Sequence, residues 1–223
     1  MDLFPLYNSI RISLVSTVMV FFIGIFIANL VLKLPPVLKS LADVVFTVPM
    51  VLPPTVVGYL LLLVIGPNRA VGSFFLNVLH IKLTMGVYGS ILACILVTFP
   101  LMYRSSLSAF EGFDHNVRDI ATILGISKTS IFWKLLIPYS KNGLIAGVVL
   151  SFLRAVGEYG ATSMVSGYIP GKTATVSTTV YQLWQLGDDA NAIKWVLINL
   201  AISFVMLIAL NFIGGKRGKI RRK

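Results

Sequence analysis

The chain alternates long apolar segments with short polar connections. Runs with the length of a membrane-spanning helix cover residues 12–32, 44–65, 83–103, 142–162 and 195–213. About 20 residues at about 1.5 Å per residue cross a hydrocarbon core of about 30 Å. The pattern predicts an all-α integral membrane protein with about five transmembrane helices, forming a single domain over residues 1–223.

Two further apolar stretches are too short or too polar to span. Residues 66–82 have the spacing of a short amphipathic helix, which we expect at the outer surface. Residues 173–186 are rich in Thr and Ser and predict a short external or re-entrant helix.

The second span contains several prolines near its middle. Pro53 and Pro54 each remove a backbone donor, as Pro49 does one turn earlier, and Thr47 and Thr55 lie beside them. We therefore expect a bent or locally opened helix. Two interpretations stay open: a packing kink, or a helix whose hydroxyls and freed backbone N–H groups around Pro53 and Pro54 line a path.

The fourth span carries two opposite charges. Arg154 and Glu158 are spaced i, i+4, and Ser151 and Gly157 lie on the same stretch. Charges in a bilayer persist when they pair, face the protein interior or line a watery path. The pair is either a structural lock or part of a translocation path or gate.

The long polar segment within the loop 104–141 predicts two short helices joined at Gly125. Asn116 is the expected N-cap of the first helix and Ser127 that of the second, and Pro138 is expected to end the second. The first helix carries an apolar stripe and the turn carries polar residues. The stripe comprises Val117, Ile120, Ile123 and Leu124; the polar tip comprises Ser127, Lys128 and Thr129.

Composition supports a membrane location and narrows the function. The chain is 57% hydrophobic, its mean hydropathy is +0.88 and its net charge is +11. The basic residues are spread over short connections, with a cluster in residues 216–223, which argues against nucleic-acid binding. Their distribution favours an external amino terminus and a cytoplasmic carboxyl terminus. A lone Cys94 excludes an internal disulfide.

The polar segment also resembles the EAA motif of bacterial ABC importer permeases. Asp119, Ile120 and Ala121 stand at the three motif positions, Gly125 at the glycine, and Leu135, Ile137 and Pro138 at the closing positions. Asp119 and Ile120 depart from the usual Glu and Ala. A second motif, R-x-x-G-E-[FY]-G at residues 154–160, resembles molybdate and sulfate permeases.

The resemblance implies the membrane subunit of a molybdate importer with the type I ABC importer permease fold. It further implies a homodimer in the prokaryotic plasma membrane, with two cytoplasmic ATPase subunits and an external oxyanion-binding protein. No Walker A pattern occurs in the sequence, so ATP and Mg²⁺ are expected on the partner ATPase and no cofactor on this chain. Tungstate, sulfate or thiosulfate are alternative cargoes.

Two other classes are less consistent with the sequence. An intramembrane enzyme lacks recognisable catalytic motifs here, and the two histidines fall outside the predicted spans, His80 at the external surface and His115 in the cytoplasmic loop. An autonomous secondary carrier is expected to show inverted repeats and several intramembrane carboxylates, whereas Glu158 is the only one predicted. The sequence therefore favours a transport subunit that depends on a separate ATPase.

Overall fold

A computed structural model describes residues 2–214 of the chain, which are helical between short connections. The helices are α1 Phe4–Val31, α2 Pro36–Val51, α3 Pro54–Ile65, α4 Ala70–Val78, α5 Val87–Glu111, α6 His115–Ile123, α7 Lys128–Ile131, a π-helical turn Phe132–Leu136, α8 Ile137–Val156, α9 Gly160–Ser166, α10 Val176–Gln185 and α11 Asp189–Gly214. The predicted basic cluster at 216–223 lies outside the described residues.

Within residues 2–214, four helices are long and apolar enough to cross a membrane: Phe4–Val31, Val87–Glu111, Lys128–Val156 and Asp189–Phe212. The pair α2 and α3 makes a fifth if its two members form one span. These four or five candidate spans agree with the all-α membrane protein predicted from the sequence.

Helices α1, α5 and α8 form the centre of the molecule. Small residues allow the close contact between α5 and α8: a Cβ atom on Gly147 would lie 2.8 Å from the Cβ of Ser105, and one on Gly143 would lie 2.6 Å from the Cβ of Ala109. One apolar cluster lies around Met102 and Phe110 near the end of α5. A second lies between α3, α5 and α9. Helix α11 packs on the periphery.

The proline-rich segment is broken into two helices whose axes differ by 109°. Helix α2 starts beside the end of α5, where Lys39 pairs with Glu111. Helix α3 packs against α9, which contacts the beginning of α5 through Ser166 and Gly89. The pair therefore reaches from one end of α5 towards the other, as a broken span does. The predicted bend is confirmed.

Three local predictions of helix ends are wrong. Helix α5 continues beyond Arg104 to Glu111, and its last turns pack on α2 and α8. The N-cap of α6 is Asp114, not Asn116. Pro138 does not end a helix: it lies in the first turn of α8, where a missing N–H costs least, and the π-helical turn before it joins α7 to α8.

The two short predicted helices are present. Helix α4 has nine residues and α10 has ten, about 14 and 15 Å at 1.5 Å per residue, so neither spans a bilayer. A capping box between Thr175 and Thr178 begins α10. Asn8 and Ser9 of α1 hydrogen-bond the backbone at Ala174 and Val176, which places α10 beside the beginning of α1.

Candidate functional site

The coupling segment, defined here as residues 117–138, has the predicted helix-turn-helix form. The Asp114 carboxylate accepts a bond of 2.8 Å from the Asn116 N–H at the start of α6. Gly125 turns the chain at a φ of +75°, and the Ile126 N–H donates to the Ala121 carbonyl oxygen over 3.0 Å. The Ser127 hydroxyl caps α7, as predicted.

The apolar stripe of the coupling segment faces outward. Ile123 is 84% exposed and Leu124 is 72% exposed, and Val117 and Ile120 are exposed as well. Ala121, one turn after Val117, is buried, whereas the Asp119 carboxylate is exposed. Ser127, Lys128, Thr129 and Pro138 are also exposed. A polar segment with an uncovered apolar face has the character of a docking surface.

The break between α2 and α3 lies against a second break, between α8 and α9. A Cβ atom on Gly160 would be 3.0 Å from the Cβ of Pro54 and 3.1 Å from the backbone nitrogen of Thr55. A Cβ atom on Gly58 would be 2.8 Å from the Cα of Ala161. Glycine at these two positions therefore permits the two interrupted helices to approach each other closely.

Arg154 and Glu158 form the predicted ion pair across the end of α8. Arg154 Nη1 lies 2.6 Å from Glu158 Oε2. The other carboxylate oxygen, Oε1, accepts a bond of 2.7 Å from the Ala161 N–H. Glu158 is 2% exposed, and the Arg154 side chain is 35% exposed. The carboxylate thus joins α8 to α9, and the guanidinium keeps donors that face outward.

The other residues predicted to line a translocation path differ in their exposure. Thr55 and Pro53 are exposed, whereas Thr47 is half-buried and donates to the Asp43 carbonyl oxygen of its own helix over 2.6 Å. Gly157 is exposed at the break that follows α8. Ser151 is fully buried inside the subunit and does not line an open surface in this conformation.

Three N–H groups near the prolines are bonded to carbonyl oxygens and are not free, in contrast to the prediction. The Leu52 N–H donates to the Val48 carbonyl oxygen over 3.2 Å. The N–H groups of Val56 and Val57 donate to the Pro53 carbonyl oxygen over 2.9 and 3.2 Å. Because Pro53 and Pro54 have no N–H, the break offers an anion fewer donors than predicted.

Residues 20–215 match the family described as binding-protein-dependent transport system inner membrane component. The chain belongs to this family. The molybdenum transport system permease protein ModB of Escherichia coli (strain K12) is 35% identical over 92% of this chain and 91% of its own length. A protein of Prototheca wickerhamii named "Probable sulfate transport system permease protein cysT" is 32% identical over 76% of this chain and 67% of its own length.

Among solved structures, an inward-facing form of the MetNI methionine ABC transporter matches with a TM-score of 0.74. It covers 94% of this chain and 93% of the matched chain, at 14% sequence identity. At that identity the similarity concerns the fold alone. The chain therefore has the fold of an ABC importer permease. Its membership of the transport family makes it a transport subunit.

Several contacts of this permease were not predicted from the sequence. Lys39 pairs with Glu111, and Arg104 pairs with Asp43 over 3.1 Å, so two ion pairs join α2 to the last turns of α5. The sequence separations, 72 and 61 residues, give no local signal. The contact of Gly160 with Pro54 was missed too, although each residue belongs to a motif that the sequence displays.

Proposed function

We propose that this permease is the membrane subunit of an ABC importer that translocates molybdate. The similarity to the Escherichia coli molybdenum permease over nearly the full length of both chains carries the proposal. The R-x-x-G-E-Y-G sequence at residues 154–160 supports an oxyanion cargo. Tungstate and sulfate remain the alternatives, because the R-x-x-G-E-[FY]-G motif resembles sulfate permeases as well as molybdate permeases.

The coupling segment is the proposed contact with the ATPase. Its exposed apolar stripe, which includes Ile123 and Leu124, offers an area that a groove on a soluble subunit can cover. ATP and Mg²⁺ bind to that subunit in this proposal. The residues proposed to transmit its movement are Asp119, Ala121, Gly125, Ser127, Lys128, Thr129 and Pro138.

The translocation path is proposed to lie where two copies of the chain meet at α2 and the adjoining break. None of the residues Pro36–Val51 is buried, and Val51 is 85% exposed. One subunit with five candidate spans has this apolar helix uncovered, and a second copy would cover it. The lining would come from Thr47, Pro53, Pro54, Thr55, Ser151, Arg154, Gly157 and Glu158.

The dimer proposal predicts a specific crosslink. In a variant with Cys94 replaced by Ala, Val51→Cys should form a disulfide-linked dimer on mild oxidation in native membranes, because equivalent residues near a twofold axis face each other. Phe204→Cys, on the exposed face of peripheral α11, is the matched control and should stay monomeric. Crosslinking of both variants to the same extent would contradict the proposed interface.

The proposed orientation has the amino terminus outside and the coupling segment in the cytoplasm. External and cytoplasmic partners then meet opposite ends of the subunit: an oxyanion-binding protein at the α10 end and two ATPase subunits at the α6 end. Accessibility of single cysteines to a membrane-impermeant maleimide in intact cells tests this arrangement. Labelling at position 129 and protection at position 184 would reverse it.

Transport by a reconstituted complex tests the function. The permease and its ATPase are placed in liposomes with the external binding protein, and uptake of molybdate, tungstate and sulfate is measured with ATP inside. We expect ATP-dependent molybdate uptake that requires the binding protein. Uptake of sulfate with no uptake of molybdate would favour the alternative, and uptake without the ATPase would exclude an ABC mechanism.

A further inference from the structure

A cavity of about 550 Å³ lies between the end of α1 and the coupling segment. Its wall includes Asn29 and Lys33 from the α1 end and Trp133 from the π-helical turn. The volume is in the range of small-molecule sites. The cavity lies apart from the two helix breaks, because none of the residues around Pro53 or Gly160 contributes to its wall.

The polar part of the cavity wall is basic. Lys33, Arg118 and Lys128 face it, against the single carboxylate of Asp119. Among residues 2–214, none of these three cations forms an ion pair. An arginine fork and two ammonium groups in the wall of one cavity offer the donors that the oxygens of a phosphate group require.

The apolar part of the wall continues onto the surface of α1. Phe26 lines the cavity and is exposed, and Phe22, one turn earlier on the same helix, is exposed as well. Trp133 lines the cavity and is 58% exposed. An apolar strip along a candidate membrane span therefore leads directly into a basic cavity at the end of that span.

We propose that this cavity binds the head group of an anionic phospholipid. The phosphate lies among Lys33, Arg118 and Lys128, and an acyl chain lies along Phe26 and Phe22. Basic cavities between transmembrane helices at the membrane surface recognise acidic head groups through such contacts. The site is separate from the cargo path, and the proposal does not depend on which oxyanion the permease carries. The cavity wall includes Asp119, Lys128 and Thr129 of the coupling segment, so the test keeps the ATPase in the complex.

Quenching of Trp133 fluorescence by brominated lipid tests the proposal. The permease with its ATPase is placed in phosphatidylcholine nanodiscs, in a Trp184→Phe, Trp195→Phe background that leaves Trp133 as the only tryptophan of the permease. Brominated phosphatidylglycerol or brominated phosphatidylcholine is then added in steps. Trp195 is buried, so its replacement can prevent folding. In that case the quenching of Trp133 is obtained as the difference between the native permease and its Trp133→Phe variant.

We expect brominated phosphatidylglycerol to quench Trp133 at a roughly 10-fold lower mole fraction than brominated phosphatidylcholine, a difference of about 1.4 kcal/mol in binding free energy, because only the anionic head group is attracted by the basic wall. Lys33→Gln with Arg118→Gln should remove this preference. Lys134→Gln with Lys141→Gln, two cations outside the cavity wall, should retain it. Soluble glycerol phosphate should not displace the brominated lipid.

Three results would overturn the proposal. Equal quenching by the two brominated lipids would show ordinary contact with the bilayer. A preference that survives Lys33→Gln with Arg118→Gln would place the head group elsewhere. Absence of quenching in the complex, together with quenching once the ATPase is removed, would show that the partner subunit fills the cavity instead.

Discussion

At the scale of single residues, the charged pair next to the helix break joins two helices. Glu158 is buried and uses both oxygens, one for Arg154 and one for the Ala161 N–H that begins α9. Such a carboxylate is stable only while its partners remain. The predicted i, i+4 ion pair is therefore present, and through Ala161 it joins the end of α8 to the start of α9.

This arrangement predicts unequal effects of the two substitutions. Arg154→Met should lower the free energy of unfolding by about 3 kcal/mol, since it leaves a buried carboxylate without its cation. This value is at the low end of the range of about 3–5 kcal/mol for broken buried ion pairs, because the guanidinium is partly exposed. Glu158→Gln should cost about 1 kcal/mol, because its amide oxygen can still accept from Ala161. Unfolding in mixed detergent micelles measures both.

The double variant Arg154→Met, Glu158→Gln serves as the control. It should be more stable than Arg154→Met alone, because the uncompensated charge is gone. Strictly additive losses would mean that the pair does not couple. A loss confined to transport, with stability unchanged in all three variants, would instead assign the pair to the translocation path.

At the scale of elements, the contact between the two interrupted helices depends on small residues. Gly58 faces the backbone of Ala161, and Gly160 faces Pro54. Each of these helices lacks continuous hydrogen bonding where it is broken, so their mutual packing takes the place of regular helix structure. We therefore expect a movement of one break to shift the other.

Alanine substitution at Gly58 tests that packing. The added Cβ would lie 2.8 Å from the Cα of Ala161, and backbone on both sides must shift, which should cost about 1–3 kcal/mol of stability. Gly157→Ala is the matched control, because its Cβ would find its nearest neighbour at 3.7 Å, and its effect should stay within about 0.5 kcal/mol. Thermal unfolding of the two purified variants should differ by several degrees. Equal melting temperatures would contradict the close contact.

The turn of the coupling segment gives a second test at this scale. Gly125 has a φ of +75° and open space around its Cβ position, so Gly125→Val strains the turn by about 1–2 kcal/mol without a clash. We expect the ATPase activity of the complex to lose its response to the cargo-loaded binding protein, while the permease still inserts into the membrane.

Gly187→Val is the control for that turn. Gly187 has a φ of +74° and equally open surroundings, but it lies between α10 and α11, away from the coupling segment. Its strain should match that of Gly125→Val, and the response of the ATPase should survive. If the ATPase activity responds normally to the loaded binding protein in both variants, Gly125 has no role in coupling.

The sequence predicts the elements of this fold better than it predicts their ends and their contacts. Apolar runs locate the spans, the prolines locate the break, and Ser127 and Gly125 locate the turn, because each signal is local. Asp114 was missed as a cap since Asn116, two residues later, has equal capping ability. The continuation of the helix past Pro138 depends on a π-helical turn, and the pairing of Lys39 with Glu111 depends on tertiary structure. Neither feature leaves a local pattern in the sequence.

At the scale of the whole molecule, one subunit brings few anion donors to the region of the helix breaks. Arg154 is the cation there, and Glu158 already pairs with it. The N–H groups of Leu52, Val56 and Val57 are occupied by carbonyl oxygens, and the Thr47 hydroxyl donates within its helix. A dianion needs several convergent donors to be held tightly away from water. The subunit thus suits weak, transient contact with its cargo.

This scarcity of donors predicts where discrimination between oxyanions resides. The purified permease with its ATPase, and without the external binding protein, should show no high-affinity molybdate or tungstate binding by calorimetry. The exposed donors of Arg154 and the Thr55 hydroxyl permit a contact no stronger than the millimolar range, about −4 kcal/mol. The isolated binding protein, titrated under the same conditions, is the positive control. A dissociation constant for the complex of one micromolar or below, about −8 kcal/mol, would require convergent donors that the described subunit lacks, and would move the selective site into the membrane.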